Sequence, residues 1–188
     1  KVTALTRNVH QKGYKLKTQA NPGYLEVIEG SIFDHELIEK LLSNADLCVN
    51  LIGILFEKGR NNFNNIHVEF PKMISRYASV YKLEKFIHVS ALGIEDARDS
   101  IYAQSKLKGE KEVLRNFNKA VILRPSIVYS VDDNFTTQLM TLLGLLPIFP
   151  IYYNGKTKFR PIHCSDLTNS ITKIITDDIR ENVIEFVG

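Results

Sequence analysis

The sequence predicts an α/β protein whose parallel strands form a doubly wound sheet, and three observations support that prediction. Short runs of apolar, often β-branched residues alternate along the chain with amphipathic segments of helical period. The apolar runs are nearly continuous, which is typical of strands that are buried on both faces. No internal repeat or low-complexity tract interrupts the alternation. Helices are therefore expected to cover both faces of the sheet.

The predicted strands are short apolar runs that mostly end at polar or glycine residues. They comprise Lys1–Leu5, Leu25–Glu29, Leu47–Ile52, Lys85–Val89, Ala120–Leu123 and Val183–Val187. Asp34 is a good N-cap for a first helix, and an apolar stripe from Ile66 to Tyr81 predicts a second, longer one. Two later helices are predicted, one from Ile101 to about Arg115 and one that opens at Ser165 with Asp166 as its cap.

Composition limits the functional classes that the chain can belong to. Its 188 residues make one ordinary domain, and a hydrophobic fraction of 44% is enough for a core. The excess of 24 Lys and Arg over 21 Asp and Glu is too small to indicate nucleic acid or anionic lipid as a partner. Cys48 and Cys164 indicate a reducing compartment without a disulfide framework. The cysteines and histidines show no metal-ligand spacing, so no metal site is predicted.

The most apolar segment, Leu139–Tyr153, is too short to span a membrane. It is interrupted by Pro147 and Pro150, whereas a spanning helix needs about 20 apolar residues. We therefore expect it to face the core or to dock on a partner or on a membrane surface. The chain starts at Lys1 without a leader pattern and enters a strand at once, so we expect it to be a piece of a longer chain.

A serine, a tyrosine and a lysine form the clearest chemical motif. In a parallel sheet, ligands bind beyond the carboxyl ends of the strands, and Ser90 directly follows one. Tyr102 and Lys106 lie one turn apart in the following helix. An ammonium nearby lowers the pKa of a phenol from about 10, so the tyrosine can exchange a proton with a carbonyl or alcohol while a cofactor carries hydride. The alternative is a surface Tyr and Lys, since this spacing alone is common.

Six segments, in this order along the chain, resemble the sequence motifs of one protein family. They are Asn50–Glu57, Lys85–Gly93, Tyr102–Glu110, Ile122–Tyr129, Asp133–Phe135 and Phe186–Gly188. They resemble the extended or atypical branch of the short-chain dehydrogenases/reductases, and most closely the family of the NADPH-binding accessory subunit of respiratory complex I (alpha subcomplex subunit nine) and its bacterial relatives. The resemblance implies a Rossmann-like fold and a dinucleotide cofactor, NADP(H) rather than NAD(H).

The resemblance implies three adenine-side positions and also shows departures from the family pattern. Arg7 matches the guanidinium that pairs with the 2′-phosphate of NADP(H), and Ser31 and Ile32 match positions beside the adenine, although relatives usually carry Asp where Ser31 stands. The family's first strand and its Gly-rich phosphate loop are absent, since no two of the ten glycines are two or three residues apart. We therefore expect the isolated fragment to bind dinucleotide poorly and to fold poorly.

The resemblance implies further cofactor positions at the ends of two other strands. Leu51, Ile52 and Gly53 match the strand end where the backbone passes the cofactor. Pro125, Ser126 and Ile127 match the turn beside the nicotinamide amide. Tyr102 matches the catalytic tyrosine, and Lys106 matches the lysine that hydrogen-bonds the nicotinamide ribose. Ser90, at the adjacent strand end, is expected to hold the same substrate oxygen as Tyr102. Residues 1–130 are expected to form the partial Rossmann-like domain. Residues 131–188 are expected to form a smaller portion for substrate or partner docking, with one returning strand.

The sequence leaves three functions open. The first is an accessory subunit or assembly factor of NADH:ubiquinone oxidoreductase with a structural dinucleotide, cytoplasmic or peripheral to the inner membrane, on the matrix side in a eukaryote. The second is an active NAD(P)-dependent reductase, epimerase or dehydratase that acts on a small or nucleotide-linked substrate through Ser90, Tyr102 and Lys106. Ala91 weakens this second function, because sugar-nucleotide enzymes often carry Ser or Thr there. A redox-sensing regulator is the third and least favoured.

Overall fold

The computed structural model describes residues 1–131, 133–145 and 158–188. The described chain separates into two compact units, Lys1–Ala45 and Asp46–Gly188. Every pair of neighbouring strands within these units runs parallel, as the near-continuous apolar runs predict. Of the apolar segment Leu139–Tyr153, residues 146–153 lie outside the described residues.

The first unit is built on two strands. Strand β1 (Val2–Thr6) pairs in parallel with β2 (Leu25–Glu29), with Val2 opposite Leu25 and Thr6 opposite Glu29. A π-helical segment (Val9–Gly13) and helix α1 (Tyr14–Lys17) connect them, and helix α2 (His35–Leu42) follows β2. The predicted cap is confirmed, because the Asp34 carboxylate accepts a hydrogen bond of 3.0 Å from the Leu37 N–H.

The second unit contains a four-stranded parallel sheet. Its order is β3 (Leu47–Asn50), β4 (Lys85–Val89), β5 (Val121–Pro125) and β8 (Val183–Phe186). Thus the strand that returns near the end of the chain joins β5. Two strands of two residues each, β6 (Val128–Tyr129) and β7 (Ile162–His163), form a separate parallel pair. The sequence did not predict this pair, because two residues are too few to show a periodic pattern.

The helices of the second unit include one irregular segment. Residues Asn64–Glu69 are π-helical and lead into α3 (Phe70–Val80), where the sequence predicts a single regular helix from Ile66. Helix α4 (Ile101–Asn116) follows β4 and is capped by Ser100, whose hydroxyl accepts from the Ala103 N–H at 3.3 Å. Helices α5 (Asn134–Leu145) and α6 (Cys164–Thr176) complete the unit.

The two central strands of the four-stranded sheet, β4 and β5, are buried on both faces. On one face Ile87, Val121 and Leu123 pack with Ile174 of α6. The alternate residues of the same strands are also buried, and Phe86 packs against Phe117 beyond the end of α4. This burial on two faces explains why the strands are apolar almost without alternation.

Helix α6 begins at Cys164, one residue earlier than the sequence predicts. Its N-cap is His163, whose Nδ1 accepts from the Ser165 N–H at 3.3 Å. The prediction that Asp166 is the cap is therefore wrong. Asp166 lies in the first turn instead, where a carboxylate interacts favourably with the positive end of the helix dipole.

Lys85 caps the other end of α6. Its Nζ donates hydrogen bonds to the carbonyl oxygens of Ile174 (3.0 Å), Ile175 (2.8 Å) and Asp177 (2.6 Å). The last carbonyls of a helix have no partner within the helix. The ammonium satisfies them and favours the negative end of the helix dipole. Lys85 thereby joins the start of β4 to the end of α6.

We predict that Lys85→Met lowers the free energy of unfolding by about 1–3 kcal/mol, because it removes charge-assisted hydrogen bonds from a half-buried helix end. Urea unfolding of the intact protein measures the loss. Lys108→Met is the matched control, since Lys108 is exposed on α4 and its loss is expected to cost less than about 0.5 kcal/mol. Equal stability of the two variants would contradict the capping role.

Candidate functional site

The side chain of Lys106 is buried at the end of β4. It is 4% exposed, and its Nζ donates to the Val89 carbonyl at 3.2 Å. Gly53, which follows β3, packs directly against it, since a Cβ on Gly53 would lie 3.3 Å from the Lys106 Nζ and 3.8 Å from the His67 Nε2. Burial lowers the pKa of Lys106 to about 8, although the carboxylate of Glu110 opposes the shift. The site therefore holds an ammonium that sheds its proton more readily than an exposed lysine.

Tyr102 lies one turn before Lys106 on α4 and is half-buried. Its ring packs edge-on against His67, with centroids 5.4 Å apart, and against Phe63 at 5.8 Å. Burial raises the pKa of Tyr102. The predicted lowering by Lys106 is therefore wrong for this conformation, because desolvation penalises the phenolate and is the dominant influence on it.

Ser90 follows β4 and is buried. Its N–H donates to the Leu123 carbonyl at 2.7 Å, which ties the strand end to β5. Its hydroxyl has no hydrogen-bond partner among the described residues. A buried hydroxyl without a partner is costly, and such exceptions deserve a functional explanation. This hydroxyl is available to a ligand oxygen.

Asn50 organises the turn that leaves β3. It is 3% exposed, and its Oδ1 accepts from the Ile52 N–H at 3.1 Å. Its amide nitrogen therefore donates to the Nδ1 of His88 at 2.9 Å. Ile52 is half-buried, whereas Leu51 and Gly53 are exposed. On this turn Leu51 thus exposes an apolar side chain, and Gly53 exposes backbone alone.

His67 belongs to this cluster and was missed by the sequence prediction. It is 1% exposed, its Nε2 accepts from the Ile54 N–H at 3.1 Å, and its Nδ1 bonds to the Ser105 hydroxyl at 2.8 Å. Metal-ligand spacing does not single out His67 among the histidines. The available signal was a histidine between Ile66 and Val68, in a stripe predicted to face the core.

Both buried histidines are neutral at pH 7. Burial lowers the pKa of His67 to about 4, and the Lys106 ammonium contributes further. Burial likewise lowers the pKa of His88 to about 3, with smaller contributions from Lys106 and His67. Because the His88 Nδ1 accepts from Asn50, its proton lies on Nε2, which has no partner among the described residues. The cluster around Lys106 thus carries no second positive charge from a histidine.

The end of β5 carries the second group of predicted cofactor positions. The Pro125 carbonyl accepts from the Leu92 N–H at 2.9 Å. The Ser126 N–H donates to the Phe186 carbonyl at 2.9 Å and its hydroxyl donates to the Arg160 carbonyl. The Ile127 carbonyl accepts from the N–H of Ile162 in β7 at 2.9 Å. Backbone from the last part of the chain therefore holds this turn, and the Ser126 hydroxyl already bonds within the protein.

Arg124 anchors helix α4 to the sheet. Its Nε and Nη2 bond to the two carboxylate oxygens of Glu110 at 3.1 and 2.7 Å, and its Nη2 also contacts Glu95 at 2.8 Å. Its Nη1 lies 3.6 Å from Glu185 on β8. The hydrogen bond with Glu110 is the main reason that the pKa of Arg124 is raised. This two-point contact positions the face of α4 that carries Lys106.

The three adenine-side positions lie in the first unit. Arg7 is exposed just after β1. After β2, the Ser31 hydroxyl accepts from the Phe33 N–H at 3.2 Å, and Ile32 is half-buried. In the second unit, the structure brings Gly53, Tyr102 and Lys106 together around His67. In the described part of the chain, no helix has the length and apolarity to cross a membrane, and no cluster of three His, Cys, Asp or Glu side chains suits a metal ion.

Curated proteins of similar sequence include mitochondrial subunits and a bacterial reductase. Two are named NADH dehydrogenase [ubiquinone] 1 alpha subcomplex subunit 9, mitochondrial. The protein of Dictyostelium discoideum is 31% identical, and the match covers 92% of this chain and 48% of that protein. The protein of Mus musculus is 28% identical, and the match covers 86% of this chain and 43% of that protein. A ceramide reductase of Caulobacter vibrioides is 25% identical over 76% of this chain and 44% of its own. The chain thus spans about half the length of the relatives it matches. No family model matches it.

The fold is also that of known enzymes. One similar structure is that of a UDP-glucuronic acid 4-epimerase mutant from Bacillus cereus, in complex with a fluorinated sugar nucleotide and NAD. It superposes on this chain with a TM-score of 0.77 and a sequence identity of 19%. The superposition covers 100% of this chain and 69% of the epimerase chain. This likeness shows the fold, a Rossmann-like arrangement of parallel strands and helices. The relatives named complex I alpha subcomplex subunit 9 confirm the family resemblance seen in the sequence.

We predict that Lys106→Met removes a pH dependence of stability. In the unfolded chain the lysine titrates near 10.5, and in the folded protein near 8. Burying the charged form therefore destabilises the wild type fully below pH 8, and this cost disappears as the pH rises to 10.5. The wild type is expected to gain up to about 3 kcal/mol relative to the variant across that interval.

Urea unfolding of both proteins at several pH values measures this difference. Lys108→Met is again the control, because Lys108 lies on the same helix and is exposed. A wild-type-minus-K106M difference that stays constant from pH 7.5 to 10.5 would show that Lys106 is not desolvated in the folded protein.

Proposed function

We propose that the protein binds a nicotinamide dinucleotide, NADP(H) in preference to NAD(H), and acts as an accessory subunit or assembly factor of NADH:ubiquinone oxidoreductase. The observation that carries the proposal is the buried ammonium of Lys106 packed on the backbone of Gly53. Both lie at the carboxyl edge of a parallel sheet, where such folds bind nucleotides. The relatives named as complex I subunits support the choice of partner and a location at the respiratory membrane of mitochondria.

The chemistry of Lys106 suits the ribose of a dinucleotide. An ammonium has three N–H donors, and among the described residues the Val89 carbonyl is its one hydrogen-bond acceptor. The remaining donors suit ligand hydroxyls. Gly53 has no side chain to separate such a ligand from the ammonium. The pyridine ring of the cofactor supplies hydride chemistry when bound, and Tyr102 and the unpartnered Ser90 hydroxyl stand near Lys106 along α4 and β4.

In an accessory subunit the dinucleotide has a structural role. A ligand that binds only the folded state stabilises it by mass action. It also repays the desolvation of Lys106, because ribose hydroxyls supply the acceptors that the ammonium lost on burial. Affinity purification of the intact protein, followed by mass spectrometry of subunits and bound nucleotide, tests both parts. Recovery without respiratory subunits would refute the partner, and recovery without nucleotide, together with no measurable NADPH or NADH affinity, would refute the cofactor.

We predict that Arg7→Gln lowers the affinity for NADPH about tenfold and leaves the affinity for NADH within twofold. The guanidinium is proposed to pair with the 2′-phosphate, which NADH lacks. Calorimetric titration of the intact protein with each dinucleotide measures the ratio. Arg76→Gln is the control, since Arg76 is exposed on α3. An equal loss for both dinucleotides would assign Arg7 to general phosphate binding, and no loss would remove it from the site.

A second candidate, an active NAD(P)-dependent reductase, is favoured by the free hydroxyl of Ser90 beside the Tyr102 and Lys106 helix and by the relative named ceramide reductase. In this function Ser90 orients a substrate carbonyl and Tyr102 protonates its oxygen. The raised pKa of Tyr102 suits a proton donor that stays protonated at pH 7.

We predict that Tyr102→Phe abolishes any reductase activity while respiratory complex assembly continues. The phenylalanine keeps the edge-on ring contacts with His67 and Phe63 and removes only the hydroxyl. Two measurements in cells that carry the variant separate the two functions. NADPH oxidation with carbonyl substrates reports reductase activity, and blue-native electrophoresis reports the assembly of complex I. Loss of assembly together with an intact dinucleotide affinity would make turnover part of the biological role.

A further inference from the structure

The turn after β3 is held from inside the protein on both sides of Gly53. The Ile52 N–H donates to Asn50, and the Ile54 N–H donates to the His67 Nε2. Both acceptors are side chains that are at least nine-tenths buried. The backbone on either side of Gly53 is thus bonded to the protein interior rather than to water.

The ring of His67 extends this connection to the helix of the candidate site. Since its Nε2 accepts a hydrogen bond, the proton of the neutral ring lies on Nδ1, which donates a hydrogen bond to the Ser105 hydroxyl. That hydroxyl in turn donates to the Tyr102 carbonyl at 2.6 Å. The ring also stacks on Phe63, with centroids 5.3 Å apart. A neutral imidazole is required, because it offers an acceptor and a donor on one buried ring.

The backbone of His67 is equally constrained. It lies in the π-helical segment Asn64–Glu69, a rare geometry that often marks functional sites. A Cβ on Gly109 of α4 would lie 1.8 Å from the His67 carbonyl oxygen, so only glycine permits this approach. Ring and backbone together hold His67 between the turn at Gly53 and the helix that carries Tyr102 and Lys106.

We propose that His67 is a positioning residue of the dinucleotide site, which fixes the turn around Gly53 against Lys106 before the ligand arrives. This inference rests on the proposed function. A turn that is already ordered does not have to lose conformational freedom on binding, so its preorganisation increases affinity. The hydrogen bond from the Ile54 N–H to Nε2 fixes the turn, whereas the hydrogen bond from Nδ1 to Ser105 orients the ring.

Three substitutions separate the two ends of the imidazole. His67→Phe keeps a ring and removes both hydrogen bonds, His67→Gln places an acceptor near the position of Nε2, and His67→Asn places an amide near the position of Nδ1. In the intact protein, we expect the dissociation constant for NADPH to rise about tenfold in H67F and H67N, which is the loss of one buried hydrogen bond. H67Q is expected to stay within threefold of the wild type.

Hydrogen exchange at the Ile54 amide is the direct readout, with the Ile52 amide as the internal reference. We expect exchange at Ile54 to accelerate in H67F and H67N and to stay near the wild-type rate in H67Q. Lys85→Met is the stability control, because its capping site contacts none of these groups and it should leave NADPH affinity unchanged. If H67F does not fold, the comparison of H67N with H67Q decides the question.

Two results would overturn the positioning role while the proposed function stands. One is an NADPH affinity of K85M as low as that of H67F, which would mean that affinity follows only stability. The other is an equal NADPH affinity of H67N and H67Q. A wild-type protein that binds neither NADPH nor NADH would overturn both proposals.

Discussion

The burial of one ammonium governs the chemistry of the second unit. Lys106 is almost inaccessible to solvent and has lost most of its acceptors. Burial keeps the two histidines beside it, His67 and His88, neutral, and the positive charge of Lys106 lowers their pKa values further. Their neutrality lets each use one nitrogen as an acceptor, and these bonds hold the backbone around Gly53. The same burial that destabilises the Lys106 ammonium therefore also shapes the turn that faces it. An ionisable group whose pKa is shifted by burial is typical of a functional site.

The rest of the unit keeps helix α4 in the position that this burial requires. Arg124 holds Glu110 through both carboxylate oxygens, and Glu110 also favours the charged form of Lys106. Gly109 allows the helix to touch the His67 carbonyl. Three consecutive turns of α4 thus contact the sheet or the π-helical segment through different interactions. A helix held at several points presents Tyr102 and Lys106 in one orientation, which a site for an extended ligand needs.

Much of the fold was predictable because it depends on local pattern. Leu25–Glu29 and Lys85–Val89 are strands with the predicted bounds, and Asp34 caps its helix. The failures have physical causes. His163 replaces Asp166 as a cap because its ring reaches the Ser165 N–H, a choice between neighbours that cap preferences do not settle. The pKa of Tyr102 moves opposite to the prediction because spacing on a helix says nothing about the desolvation of each group. Asn50 and His67 were missed because their partners lie on other elements.

The sequence by itself determined the order of strands and helices, the spacing of Tyr102 and Lys106 on one helix face, and the resemblance of the chain to its relatives. These features follow from local periodicity and from motifs, which a linear chain carries in full. Only the tertiary structure decided that Gly53 rests on Lys106, that His67 accepts from Ile54, and that Arg124 meets Glu185. Burial and hydrogen bonding depend on which distant segments pack together, and so the electrostatics of the site emerge only when the chain is folded.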